Sequence, residues 1–228
     1  MHQAIAFAPA VQKLIVLVGF LCWSGVYWQM WRRGVRDRSF GMPLVALCVN
    51  VVWEIVFTFF ADGPMPVKVV NGLWLGLDLA VLSTLLRFGR DDYASAWVRD
   101  SFYMLVALVF AMAALVVPAF KSAFADTTGG ISATFTTMLL SAQLVAMLVR
   151  RDNVRGQSIY IGLLVLLGDV AGWAMNHIAH AEVQPNIPIL WVNAANVCIV
   201  ACNVVYLVLY WRISRRDGVD PWSRFVAW

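Results

Sequence analysis

The chain has 228 residues, of which 61% are hydrophobic and only 13% charged, where a soluble domain carries about a quarter charged residues. That leaves too little polar surface to cover a water-exposed globule, so lipid must be the solvent for much of the chain. A formal charge of +4, with the arginines confined to the breaks between apolar runs, excludes nucleic acid as a partner.

Apolar stretches long enough for a hydrocarbon core of about 30 Å recur along the chain. They predict helices near Leu14–Met30, Phe40–Ala61, Val69–Phe88, Phe102–Phe120, Ile131–Val149, Ser158–His177 and Ile187–Trp211. The breaks Asp62-Gly63-Pro64, Gly89-Arg90-Asp91-Asp92, Thr128-Gly129-Gly130 and Gln184-Pro185-Asn186 carry turn-forming residues. The expectation is an all-α membrane protein with seven transmembrane helices. No break is long enough for a second domain, so residues 1–228 read as a single domain, and no internal repeat is evident.

Of the 17 Lys and Arg residues, only Lys13, Lys68 and Lys121 fall in the N-terminal segment and the even-numbered connections. All the others lie in the first, third and fifth connections and the C-terminal tail, starting with Arg32, Arg33, Arg36 and Arg38. The positive-inside rule then puts the N-terminus outside and the C-terminus in the cytoplasm. Positive charge follows the first span instead of preceding it, which argues against a cleaved signal peptide. The tail Pro221-Trp222-Ser223-Arg224-Phe225 predicts an interfacial anchor. Cys22, Cys48, Cys198 and Cys202 all sit inside apolar runs and read as packing residues. No metal and no cofactor is expected.

Three carboxylates lie within the predicted spans: Glu54 in the second, Asp78 in the third and Asp169 in the sixth. Each costs about 2.5–3.5 kcal/mol at mid-bilayer on insertion scales, so each needs a compensating reason. Counted from the outer end of its span, each falls at nearly the same depth, roughly 10–14 Å below the outer boundary. Asn50 lies one turn from Glu54; Trp74 and Asn71 lie one and two turns from Asp78; Trp173 and Asn176 lie one and two turns from Asp169. Trp53 is adjacent to Glu54, and Asn193, Asn196 and Asn203 stack on one face of the last span with Trp191 nearby. No Lys or Arg is available at that depth to neutralise the acids. The pattern predicts a cavity in the outer half of the membrane holding carboxylic acids, amides and indole rings. His177 and His180 fall at its outer rim, in solvated or capping positions.

Several stretches resemble the small membrane-bound terpene cyclases of fungal meroterpenoid and indole-diterpenoid pathways, which also have bacterial members. Asn50-Val51-Val52-Trp53-Glu54 is similar to that family's NxxWE motif. Leu73-Trp74-Leu75-Gly76-Leu77-Asp78, followed by Arg87-Phe88-Gly89, resembles its WxxxD helix. Ser141 through Met147-Leu148-Val149-Arg150-Arg151, then Arg155-Gly156-Gln157-Ser158, resembles its S…MLxRR…RGQS segment. The matches keep order and spacing over about residues 40–210. The resemblance implies cyclisation of a prenyl chain already attached to an acceptor, started by protonation of a terminal epoxide or alkene. It implies a lipophilic prenylated substrate, contact with membrane lipid, and an upstream prenyltransferase or epoxidase as a candidate partner. The family's NxxWE acid maps to Glu54. Its second acid, an Asp in the last helix, maps to Asn203, while Asp169 stands where the family has a small neutral residue. Asp169 is therefore expected to have taken over the second acid's role, with Asp78 orienting the pair. Glu54, Asp78 and Asp169 are the expected catalytic residues, and Asn50, Trp53, Trp74, Trp173, Asn196 and Asn203 the expected substrate-binding residues.

The residues fit such chemistry on their own terms. Protonating an alkene or epoxide needs a neutral, desolvated acid, and a carbocation needs water excluded and indole faces nearby. No diphosphate-binding DDxxD motif occurs, and Asp91-Asp92 sits in a loop beside arginines. A retinal protein would need a Lys in the last span, which is missing. The alternatives are a proton-coupled transporter or channel for a small solute, with the acids as a relay, and a non-catalytic assembly partner in which the acids only join helices. Unbroken spans and the missing repeat weigh against the transporter. Arg-rich usage points to a bacterial plasma membrane, or to the endoplasmic reticulum membrane for a eukaryotic source.

Overall fold

The computed structural model describes residues 8–182 and 187–225. Within them the chain forms α1 (Pro9–Asp37), α2 (Leu44–Ile55), α3 (Met65–Phe88), the short α4 (Ala96–Asp100), α5 (Phe102–Ala123), α6 (Gly130–Arg151), α7 (Ile159–Glu182) and α8 (Ile189–Arg216). Strands are absent among the described residues. Gln184, Pro185 and Asn186, read above as turn residues, lie outside them.

Six helices, α1, α3, α5, α6, α7 and α8, are long and apolar enough to cross a membrane. The predicted second span is shorter. Pro43 sets its start, and a wide π-helical turn over Val56–Phe60 ends it before Ala61 turns extended. A π-turn inserts an extra residue into the helical ladder and commonly sits beside a functional group; here it begins two residues after Glu54. Elsewhere the helices outrun the apolar stretches. α1 starts at Pro9 instead of Leu14, α3 at Met65 instead of Val69, and α7 continues to Glu182. Lys13, Lys68 and His180 lower the local hydropathy without breaking the helix, because the backbone ladder continues through them.

α1, α3, α2, α6, α8 and α7 pack in that order into a closed ring, since α1 also packs along α7; α5 lies outside it against α2. Val26, Met30, Leu47, Leu85, Leu144, Ile161, Tyr206 and Tyr210 are buried in the common core. The outward faces are strongly apolar: Leu115 is 75% and Leu190 84% exposed. Exposed apolar surface of this extent is tolerable against lipid and not against water.

The arginine-bearing connections meet at one end of the bundle. Arg151 donates to Asp92 at 3.0 Å and to the Phe40 carbonyl at 3.0 Å, and its guanidinium stacks 4.1 Å from the Phe40 ring. Asp92 also pairs with Arg155 at 3.5 Å and accepts from the Ser39 hydroxyl. The Gln157 amide donates to the Gly41 carbonyl at 2.7 Å and accepts from the Tyr206 hydroxyl at 2.8 Å. The tail folds back onto the same end. Arg224 pairs with Asp37, the Phe225 ring lies 4.6 Å from Tyr160, and Trp222 meets Trp211 edge-on at 6.2 Å. Arg151, Arg155 and Gln157, quoted above for their resemblance to a family motif, thus staple the connections together and do not line the cavity that holds the acids.

Candidate active site

At the other end of the ring a cavity of about 430 Å³ opens between the helices, within the size range of small-molecule sites. Its walls come from α1, α2, α3, α6, α7 and α8 and from the Thr128–Gly130 connection. Glu54 and Asp169 both line it. They face it from α2 and α7, which are not close packing neighbours among the described residues. Glu54 is 1% exposed and Asp169 4%, and among the described residues neither Glu54 Oε2 nor Asp169 Oδ1 has a hydrogen-bond partner. Among the described residues no Lys or Arg lines the cavity.

Asp78 and Asn203 stand one layer behind the wall. The Asn50 amide, itself on the wall, donates to Asp78 Oδ2, in a 2.5 Å contact, and to the Tyr27 hydroxyl at 2.9 Å. Asp78 therefore meets Asn50, one helical turn before Glu54. Its other oxygen, Oδ1, is buried without a partner among the described residues. On the opposite side the Asn203 amide donates to Asp169 Oδ2 at 2.6 Å. Residue counting puts Asn203 about two turns deeper than Asp169, but the longer α7 carries Asp169 down to its level. Asn203 does not reach the cavity, so any part it plays with a substrate runs through Asp169.

The expected tryptophans come together here. Trp53, Trp74 and Trp173 all line the cavity, each with its indole N–H engaged: to Ser132 Oγ at 2.8 Å, Ser24 Oγ at 3.1 Å and Asn193 Oδ1 at 2.7 Å respectively. Pinned N–H groups hold the ring faces in fixed directions. Asn196 also lines the cavity, its amide donating one turn back to the Val192 carbonyl at 2.8 Å. Trp191 is 36% exposed and is not among the lining residues. His177 shares Asn193 Oδ1 with Trp173, at 2.9 Å, on the rim.

Sequence reasoning passed over α1, which contributes Phe20, Trp23 and Tyr27 to the wall. The signal was present: Val16, Phe20, Trp23 and Tyr27 recur at helical spacing along one face. α1 drew no notice because it carries no intramembrane acid. Tyr27 lies within electrostatic reach of Asp78, Glu54 and Asp169 alike. The arrangement is a largely apolar cavity lined by two carboxyls, amides and indole rings.

The sequence profile of the Pyr4-like transmembrane terpene cyclases matches residues 2–216. The chain belongs to this family. It is 28% identical over 174 residues to the Pyr4-family terpene cyclase mfmH of Annulohypoxylon moriforme, covering 74% of this chain and 71% of that protein. It is 26% identical over 207 residues to the terpene cyclase pyr4 of Aspergillus fumigatus (86% and 84% covered) and 24% identical over 222 residues to the terpene cyclase cdmG of Talaromyces verruculosus (92% and 90% covered). All three relatives are fungal and give no support to a bacterial host. No solved structure matches the chain significantly. A membrane-bound terpene cyclase accounts for the family and the helical architecture, and the transporter reading finds no support.

Proposed function

We propose that the protein cyclises a prenyl chain already attached to an acceptor, and that Glu54 starts the reaction by protonating a terminal epoxide or alkene. One observation carries this reading: a carboxyl without a counter-cation faces a largely apolar, aromatic-lined cavity with an oxygen that no described protein group occupies. A carboxyl in such surroundings holds its proton until a basic site on the substrate takes it. With an epoxide the proton goes to oxygen as the C–O bond breaks; with an alkene it forms a new C–H bond. Successive alkenes then add to the cation, each π pair becoming a C–C bond. The last cation loses a proton to a carboxylate of the site, leaving a C=C bond, so no oxidant or reductant is consumed.

In this scheme Asp169 is the second acid, held by Asn203, and Asp78 orients Asn50. Trp53, Trp74 and Trp173 shield the cation, and Asn50 and Asn196 line its path. A prenyl substrate enters from lipid, and an upstream prenyltransferase or epoxidase supplies it. Residues 1–228 work as one catalytic domain. The short α2 serves as the seventh span, its length made up by the chain on either side, with the N-terminus outside and the arginine-rich end in the cytoplasm. The fungal relatives favour an endoplasmic reticulum membrane.

Membrane fractions offered farnesylated and geranylgeranylated acceptors test the reading. The wild type yields cyclised product, and Glu54→Gln lowers turnover by about 10²–10⁴, the usual contribution of a positioned acid. Its thermal stability in detergent stays near that of the wild type. Wild-type turnover by Glu54→Gln would remove Glu54 from the mechanism.

A further inference from the structure

The Trp53 indole is the end of a buried chain that begins outside the cavity. Its Nε1–H donates to Ser132 Oγ at 2.8 Å, and the Ser132 hydroxyl donates to Asp126 Oδ2 at 2.6 Å. Asp126 lies in the connection before α6, is 1% exposed, and also accepts the Ser132 backbone N–H at 2.8 Å and that of Ile131 at 3.5 Å. Two further contacts fix the ring. Phe57 stacks on it with centroids 4.6 Å apart. Gly129, with φ +79, brings the connection so close that a Cβ there would lie 2.8 Å from Trp53 Cζ2. Only glycine adopts that conformation freely, so the connection is shaped to press on the edge of the indole.

Each link has a chemical consequence. The carboxylate orients the serine hydroxyl toward itself, which leaves the serine lone pairs facing the indole N–H. Hydrogen bonds in series polarise one another, so electron density is pushed toward the ring. The attraction of a cation for a ring face follows that density. We propose that Asp126, acting through Ser132, is a positioning residue for cyclisation: it fixes the Trp53 indole against the cavity and strengthens its hold on the carbocation. The inference rests on the reading above, in which Trp53 shields the cation.

The experiment is a double-mutant cycle on product composition. Ser132→Ala removes the acceptor for the indole but keeps the backbone bond from residue 132 to Asp126. Trp53→Phe keeps a ring but has no N–H to hold. Ser132→Ala is expected to raise the share of prematurely deprotonated, partly cyclised products by about two- to tenfold, the range for losing one hydrogen bond. KM stays unchanged, and Asp126→Asn shifts products in the same direction. Ser132→Thr, which retains the hydroxyl, restores the wild-type ratio. In the Trp53→Phe background, Ser132→Ala adds nothing.

A loss of α6 capping alone would lower the melting temperature equally in both backgrounds and leave the product ratio untouched; that result overturns the inference. So does an equal product shift from Ser132→Ala with and without the indole. If Trp53→Phe changes the products and Ser132→Ala does not, the inference fails while the proposed function stands. If neither Trp53→Phe nor Trp53→Leu changes them, the role of Trp53 fails and the inference with it. Should Asp126→Asn not accumulate, the two serine variants carry the test.

Discussion

Exchanging the members of the Asp169–Asn203 pair separates the need for a carboxyl from the need for a carboxyl at the cavity wall. Asp169→Asn keeps side-chain shape and lets two amides share the 2.6 Å bond now made by Asn203 to Asp169. The fold should change by less than about 1 kcal/mol, the net worth of an ordinary hydrogen bond. If Asp169 is the second acid, turnover falls by about 10²–10⁴, or roughly 3–5 kcal/mol in barrier. Asp78→Asn should cost no more than this, because Asp78 meets Asn50 behind the wall. Asp169→Asn with Asn203→Asp restores a carboxyl–amide pair, yet the acid now stands behind residue 169, so only a small part of the activity returns. Asp169→Ala with Asn203→Asp removes the screen as well and gives the pattern of the family this chain resembles, a small neutral residue with the acid in the last helix. It should recover more activity than the direct exchange. Asp169→Ala alone strands the Asn203 amide and lowers stability by about 1–3 kcal/mol, which the second change repairs. Turnover on prenylated acceptors and melting in detergent are read on all five variants. Full turnover in Asp169→Asn would refute the assignment and leave Glu54 with Asp78 as the working pair.

Two further outcomes follow from the same geometry. At Trp53, Trp74 and Trp173, Phe should preserve turnover better than Leu wherever the ring faces the cation, and Leu should release early deprotonation products; unchanged rate and product ratio with all three Leu variants would make them packing residues. Asp92→Ala leaves the Arg151 guanidinium, whose side chain is 6% exposed, without its carboxylate. It should lower stability by about 3–5 kcal/mol, the usual cost of stranding a buried ion, seen as an early melting transition with the product ratio of surviving protein unchanged.

Much of the site was legible because burying charge in lipid is costly, so every acid in an apolar run announces itself. That logic found Glu54, Asp78 and Asp169, and helical spacing attached Asn50, Trp74 and Trp173 to them. It could not distinguish a wall residue from one behind the wall, since Asn50 and Asp78 belong to different helices and their contact depends on how α2 and α3 are rotated. Helix ends were hidden for a related reason. A lysine or histidine near a boundary reads as a break in hydropathy, while the backbone hydrogen bonds continue through it, and the error in α7 displaced Asn203 from its true partner by about two turns.

Residues without charge in the bilayer left no such trace. Ser132 and Gly129 are ordinary helix-start residues by sequence, and Asp126 looks like a loop carboxylate among threonines and glycines. Their meaning depends on α6 packing beside α2, which brings a loop acid within two hydrogen bonds of an indole next to Glu54. The chemistry of a protonation-started cyclisation makes two opposite demands on one small space: an acid strong enough to give up its proton, and walls soft enough to hold the cation without reacting. Carboxyls meet the first and are visible in the sequence. Ring orientation meets the second, and it is set by neighbours such as Ser132 and Phe57, whose composition alone gives no reason to single them out. Product identity is therefore expected to vary more with the residues behind the tryptophans than with the acids, and Ser132→Ala should change which olefin forms while Glu54→Gln changes only how much.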